Sequence, residues 1–173
     1  MTSHEDLQKI SDFLLDKIPA DARLVVIGVG NNQRQDDEAG LLVVQNLIKE
    51  IPNIPDDLLL IEGIGAPEYY IHEINEWKPT FLLMIDAADF SMPPGTIRII
   101  QREHLSSNAV SGHSLSKKTL LDFLVGFNPT LQVYIIGIQA ASISINEKMT
   151  EHVVQAVQDL TGVLQEIIMK KEK

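Results

Sequence analysis

The chain is predicted to fold as an α/β domain. The expected form is a three-layer sandwich with a mainly parallel five-stranded sheet, one antiparallel strand, and helices on both faces. Three observations lead there. Strand-like segments alternate with segments of helical period. Several strand-like segments, such as DLLLI and FLLMI, are near-continuous apolar runs, the pattern of strands buried on both faces. One strand-to-strand connection, through the turn MPPG, has only about ten residues, too short for a helical crossover, which calls for an antiparallel strand.

The elements run in order along the chain. Thr2 or Ser3 can cap a first helix over residues 4–18, where Leu7, Ile10, Phe13, Leu14 and Ile18 form one apolar stripe. Residues 23–29 read as a buried strand. Residues 37–51 read as a helix, with Leu41, Val44, Leu47, Ile48 and Ile51 on one side. A second strand covers 57–61, and 63–66, with Gly65, is a loop. Pro67 suits the first turn of a helix reaching Trp77, because a proline lacks only an N–H that has no partner there. Residues 81–85 form a third strand ending at Asp86, and 96–101 a fourth. A loop over 102–112 leads to a helix over 114–126. The fifth strand is 131–138, and a last helix spans 149–170. No internal repeat or dividing linker interrupts the 173 residues, so they are read as one domain.

Composition narrows the function. Apolar residues make up 45% of the chain, which excludes disorder. No apolar run reaches the roughly 18–20 residues of a membrane span, and the polar start MTSHEDLQKI is unlike a signal or transit peptide. Cysteine is absent, which removes thiol nucleophiles, cysteine-type metal sites and disulfides, and fits a cytoplasmic protein. The net charge of −10 disfavours nucleic acid and anionic membrane as partners. Lys170, Lys171 and Lys173 form the one basic cluster, read as a last helical turn that complements the helix dipole.

In a parallel α/β sheet, ligands sit beyond the carboxyl ends of the strands. Residues 30–38, 86–90 and 102–113 are expected to meet there. The first of these, GVGNNQRQDDEAG from Gly28 to Gly40, begins like a phosphate loop and ends on Asp36, Asp37 and Glu38. A dinucleotide fingerprint fails at its third glycine, where Gln33 stands. Glu62, which could imitate the ribose-binding acid, comes 34 residues after Gly28, whereas the usual spacing is roughly 20. No GxSxG elbow exists, and Ser114 reads as a cap of the following helix. What remains is Asp37, Asp86 and His113: two carboxylates and an imidazole, a donor set suited to a borderline divalent cation. Singly, each has an ordinary reading, as a helix cap, a strand-end acid and a loop histidine. One of Asp36 and Glu38 is expected to support Asp37 and the other to face solvent. His4, His72, His104 and His152 are read as surface residues. Gly28 and Gly30 are expected to let the backbone turn tightly, and the Asn31 amide to fix the loop.

The ordered set GVGN (28–31), DD (36–37) with Gly40, GIGAPE (63–68), IDAAD (85–89), PGTIRII (94–100), His113 and IIGIQ (135–139) resembles the endopeptidases that mature nickel–iron hydrogenases. The resemblance covers roughly residues 23–165. It implies a twisted five-stranded α/β sandwich. It also implies an enzyme that removes a C-terminal extension from the hydrogenase large-subunit precursor after nickel insertion. The nickel is expected to arrive with the substrate, and the resting enzyme to be metal-free. The family's metal-contacting acids fall on Asp37 and Asp86 and its histidine on His113. Gln35 stands where the family often has Gly, Glu38 where a small residue is usual, and Ala140 where Pro is common. Residues 1–20 look like an N-terminal helical extension. A nucleotide-binding α/β protein and a non-catalytic precursor-docking protein are the competing readings.

Overall fold

The computed structural model describes residues 2–65, 67–101 and 114–171. The elements run α1 (His4–Lys17), β1 (Leu24–Gly30), α2 (Ala39–Glu50), β2 (Leu58–Ile64), α3 (Ile71–Trp77), β3 (Phe81–Ala88), β4 (Ile97–Gln101), α4 (Ser114–Phe127), β5 (Gln132–Gln139) and α5 (Glu151–Lys171). Short 3-10 turns, Gln35–Glu38 and Pro67–Tyr70, precede α2 and α3. The five strands form one sheet in the order β2-β1-β3-β5-β4. Four run parallel, and β4 pairs antiparallel with β5. The sequence thus predicts the direction of β4; its neighbour is β5, not β3.

Alternation along the strands divides the core in two. Leu24, Val26, Phe81, Leu83, Ile85, Ile136 and Ile138 pack with α1, α2 and α5. Val25, Ile27, Leu82, Met84 and Ile135 pack with α3 and α4. Helix α1 belongs to the first core through Ile10 and Leu14. Its N-cap is Ser3, whose hydroxyl accepts from Asp6 N–H (3.1 Å) and donates to the Asp6 carboxylate (2.7 Å), a reciprocal cap. Thr2 bonds elsewhere. Its hydroxyl donates to Gly95 C=O and accepts from Ile97 N–H, tying the chain start to β4.

Three expectations need correction. DLLLI is not buried on both faces: β2 is an edge strand, with Leu59 and Leu60 only partly covered. It also runs on through Gly63 and Ile64, because both stay in register with β1, so the loop begins only at Gly65. The Lys171 ammonium does more than face a helix dipole. It donates to Ala22 C=O (2.5 Å) and pairs with Asp57 (3.1 Å), fastening the end of α5 to the start of the sheet.

What positions the site is a parting of strands. The β1–β3 ladder ends at the pair Gly28–Ile85. Beyond it β1 stays with β2 as far as Gly30–Ile64, while β3 stays with β5 as far as Ala88–Gln139. The N-terminus of α2 fills the gap. A Cβ on Gly40 would press into the carbonyl oxygens of Ile85 and Val29, and one on Gly28 into the Gly40 carbonyl. Gly28 and Gly30 therefore serve close packing inside a strand; tight turning belongs instead to Gly65 and Gly95, at φ +81° and +78°. Since backbone cannot yield as a side chain does, Gly40→Ala is expected to cost about 3 kcal/mol or more. Chemical denaturation against the parent chain would measure that loss.

Candidate functional site

The gap between β1 and β3 is a topological switch point, because connections leave it in opposite directions along the sheet. Asp37 and Asp86 are carried on its two sides. Asp37 lies in the 3-10 turn after β1, which packs against β3. Asp86 is the first β3 residue past the last β1 pairing. It does not end β3, which continues to Ala88. By alternation it shares the face of Leu82 and Met84, the side that α3 and α4 cover. Both carboxylates are buried, at 3% and 1% exposure, although isolated burial of a charge is costly.

The loop holding Asp37 is bonded to itself. Asn31 N–H donates to Asp37 C=O (3.2 Å), Arg34 N–H to Asn31 C=O (3.0 Å) and Asp37 N–H to Arg34 C=O (2.8 Å). The Asn31 amide oxygen accepts from Gln33 N–H (2.9 Å). Gly30 is required beneath this loop, as its Cβ would stand 2.5 Å from Asp37 C=O. Gln35 holds φ +39°, which glycine enters freely and a Cβ disfavours.

Asp36 takes the supporting role. Its carboxylate, 0% exposed, accepts from Ala141 N–H (2.8 Å), Ser142 N–H (3.2 Å), Thr150 N–H (2.8 Å) and the Thr150 hydroxyl (3.2 Å). Its own N–H donates to Ser142 C=O (3.2 Å), and Asn146 N–H donates to Gln33 C=O (2.9 Å). The segment between β5 and α5 is thereby bound to the segment after β1. Sequence patterns leave this segment out of the site, because the ASISIN run carries no titratable residue to draw attention to it. Glu38 is half-buried and so is not simply a solvent-facing acid.

Gln139 braces the other side. Its Oε1 accepts from Phe90 N–H (2.6 Å) and Met92 N–H (3.3 Å), and its Nε2 donates to Ala140 C=O (2.8 Å) and the Asp89 carboxylate (3.3 Å). Ser91 N–H and then the Gln139 amide hold the Asp89 carboxyl below its ordinary range. The last residue of IIGIQ thus fixes the chain that leaves β3 just after Asp86.

His113 lies outside the described residues, as do His104 and the segment 102–113. Among the described residues no group of three or more His, Cys, Asp or Glu could hold a metal ion. His4, His72 and His152 are exposed, as expected. Glu62 accepts from the Gln45 amide of α2 (2.8 Å). Two buried carboxylates at a switch point are suited to gripping a cation or activating water.

Comparison with known proteins gives a consistent result. A family model described as hydrogenase maturation protease, HycI, matches residues 42–167. The hydrogenase 3 maturation protease of Escherichia coli is 31% identical over 138 residues, covering 78% of this chain and 83% of that protein. A crystal structure of the [NiFe] hydrogenase maturation protease HycI from Thermococcus kodakarensis superposes with a TM-score of 0.79 at 26% identity, covering 93% of this chain and 99% of the other. A solution structure of the endopeptidase HycI from Escherichia coli gives 0.70 at 28% identity, covering 83% and 89%.

The Asp36 clamp yields a stability prediction. Asp36→Ala leaves four donors without their acceptor and is expected to cost about 3 kcal/mol. For a chain of this size that lowers Tm by roughly 6–12 °C. Differential scanning calorimetry checks it, and an unchanged Tm would contradict the clamp.

Proposed function

Because the chain belongs to the hydrogenase maturation protease family, we propose that it is the endopeptidase that removes the C-terminal extension of a nickel–iron hydrogenase large-subunit precursor once nickel is in place. One observation carries the site assignment: Asp37 and Asp86 are buried on the two sides of the switch-point gap, each on backbone fixed by its own brace.

In this reading the nickel is part of the substrate. Asp37, Asp86 and His113 engage it, so that only a loaded precursor is held in register. That contact brings the scissile peptide bond against the carboxylates, and the fixed geometry supplies the rate advantage of orientation. Water, polarised by the cation or by a carboxylate acting as base, attacks the peptide carbonyl. The carbon–nitrogen bond breaks, and the proton lost by the water passes to the leaving amine. A cysteine-free chain supports a cytoplasmic setting. Among the described residues, no helix is long and apolar enough to cross a membrane.

The experiment is intact-mass spectrometry of the precursor, loaded or free of nickel, after incubation with the protein. Loss of a C-terminal peptide from the loaded form alone is expected. Asp37→Asn, Asp86→Asn and His113→Ala are each expected to slow cleavage by about a hundredfold or more. Full activity in all three variants would remove the site assignment, and a stable uncut complex with loaded precursor would favour docking over catalysis.

A further inference from the structure

Asp86 stands in a row of residues that runs across the sheet to its edge. It pairs in register with Gly137 of β5, and Gly137 pairs with Arg98 of β4. Residues in register on neighbouring strands point to the same face. The Asp86 carboxylate and the Arg98 side chain therefore emerge on one side of the sheet. The row two residues below, Met84, Ile135 and Ile100, fixes which side, since all three pack in the core under α3 and α4. Two strand spacings separate Asp86 from Arg98, about 10 Å. Gly137 contributes no side chain between them. A Cβ there would run into the Phe90 ring, which fills that place in the row. Phe90 is held in turn by its N–H, which donates to Gln139 Oε1 at 2.6 Å.

Arg98 is exposed. With a net charge of −10 the chain does not lack acids, yet among the described residues none pairs with Arg98. Its Nη2 reaches only the Met92 sulfur, at 3.8 Å, and a thioether is a weak acceptor. A cavity of about 960 Å³ opens beside it, lined by Phe90, Met92 and Arg98 and by Ile10 and Phe13 of α1. A guanidinium is a rigid fork of donors that matches a carboxylate with two parallel hydrogen bonds. The sheet thus presents a cation with room beside it, at a fixed distance from one of the two buried acids.

We propose that Arg98 is a specificity-determining residue that takes a carboxylate of the polypeptide being processed. That carboxylate is an acidic side chain of the polypeptide or the free end of its C-terminal extension. The inference rests on the processing function proposed above and adds a chemical requirement on the substrate. An extended chain advances about 3.3 Å per residue. A segment that follows the row with its scissile bond at Asp86 therefore brings a group about three residues away to Arg98.

The test compares Arg98→Gln with the parent chain on nickel-loaded precursor. Lys49→Gln, in the last turn of α2, controls for the change in charge. Mass spectrometry tracks cleavage and a melt confirms folding. Arg98→Gln is expected to raise KM about tenfold with kcat nearly unchanged, and the control to stay within about twofold of the parent. Two altered precursors locate the carboxylate. In one, every Asp and Glu within about four residues of the cleaved bond becomes Asn or Gln; in the other, the C-terminus is an amide. One of the two should be cleaved equally by the parent chain and by Arg98→Gln, because the group that Arg98 takes is gone. Folded Arg98→Gln that matches the parent, the result expected of an edge arginine that only keeps other sheets away, overturns the inference and leaves the processing function standing. A difference in KM that both altered precursors preserve overturns it as well. No cleavage by the parent chain removes the processing function, and this inference with it.

Discussion

The contact on which the rest of the structure depends is backbone against backbone, where Gly40 at the start of α2 meets the carbonyls of Val29 and Ile85. A helix that close to two strands holds them apart. It converts a continuous parallel sheet into one with a cleft at its carboxyl edge, and the last β1–β3 pair, Gly28–Ile85, marks where the cleft opens. Gly28 and Gly40 are small for related reasons: a Cβ on Gly28 would enter the Gly40 carbonyl, and one on Gly40 the carbonyls of Ile85 and Val29. The two acids then sit on opposite sides of the cleft because one comes after β1 and the other continues β3.

Holding buried carboxylates in place without neutralising all of them takes a division of labour. Asp36 and Asp37 are neighbours in sequence and both buried, yet they do different things. Asp36 spends its oxygens on three backbone N–H groups and a hydroxyl, the kind of charge-assisted bonding that makes a buried anion tolerable. Anchored this way, the loop fixes the direction in which Asp37 leaves the backbone. Gln139 does the corresponding work after Asp86, with no net charge. The backbone that carries each acid is therefore placed by bonds to neighbouring segments.

Much of this is legible in the sequence, and the misses share a cause. Helical and strand periods locate every described helix and strand to within a few residues, since burial of an apolar face leaves its period in the chain. The switch-point argument brings the segments after β1 and β3 together from topology alone. What fails depends on pairing between distant segments. DLLLI reads as doubly buried, but only the strand order makes β2 an edge. Gly28 and Gly30 read as turn glycines, but only the approach of α2 shows that they clear space. The β5–α5 segment carries no reactive side chain; its importance lies in its N–H groups, which every sequence has. Lys171 and Gln139 likewise bond main-chain oxygens and amides, besides one carboxylate each, and those main-chain partners are invisible to any pattern of residue types.

The braces also bear on how a protease can sense metal in its substrate. A site whose fold depends on a resident ion gains its stability by binding that ion, so ligand geometry and metal occupancy rise together. Here the segments around the cleft are joined by hydrogen bonds from Asp36 and Gln139 that need no cation. Ligand geometry can then be set in advance, and the free energy of meeting a cation goes into holding whatever carries it. Under the proposed function, contacts that both forms of the precursor make are indifferent to nickel, and the acids would add the part that differs between the loaded and the empty form. Discrimination is a difference between two affinities, so contact shared by both forms cancels, and under that proposal a cation–carboxylate contact in the cleft sets the ratio.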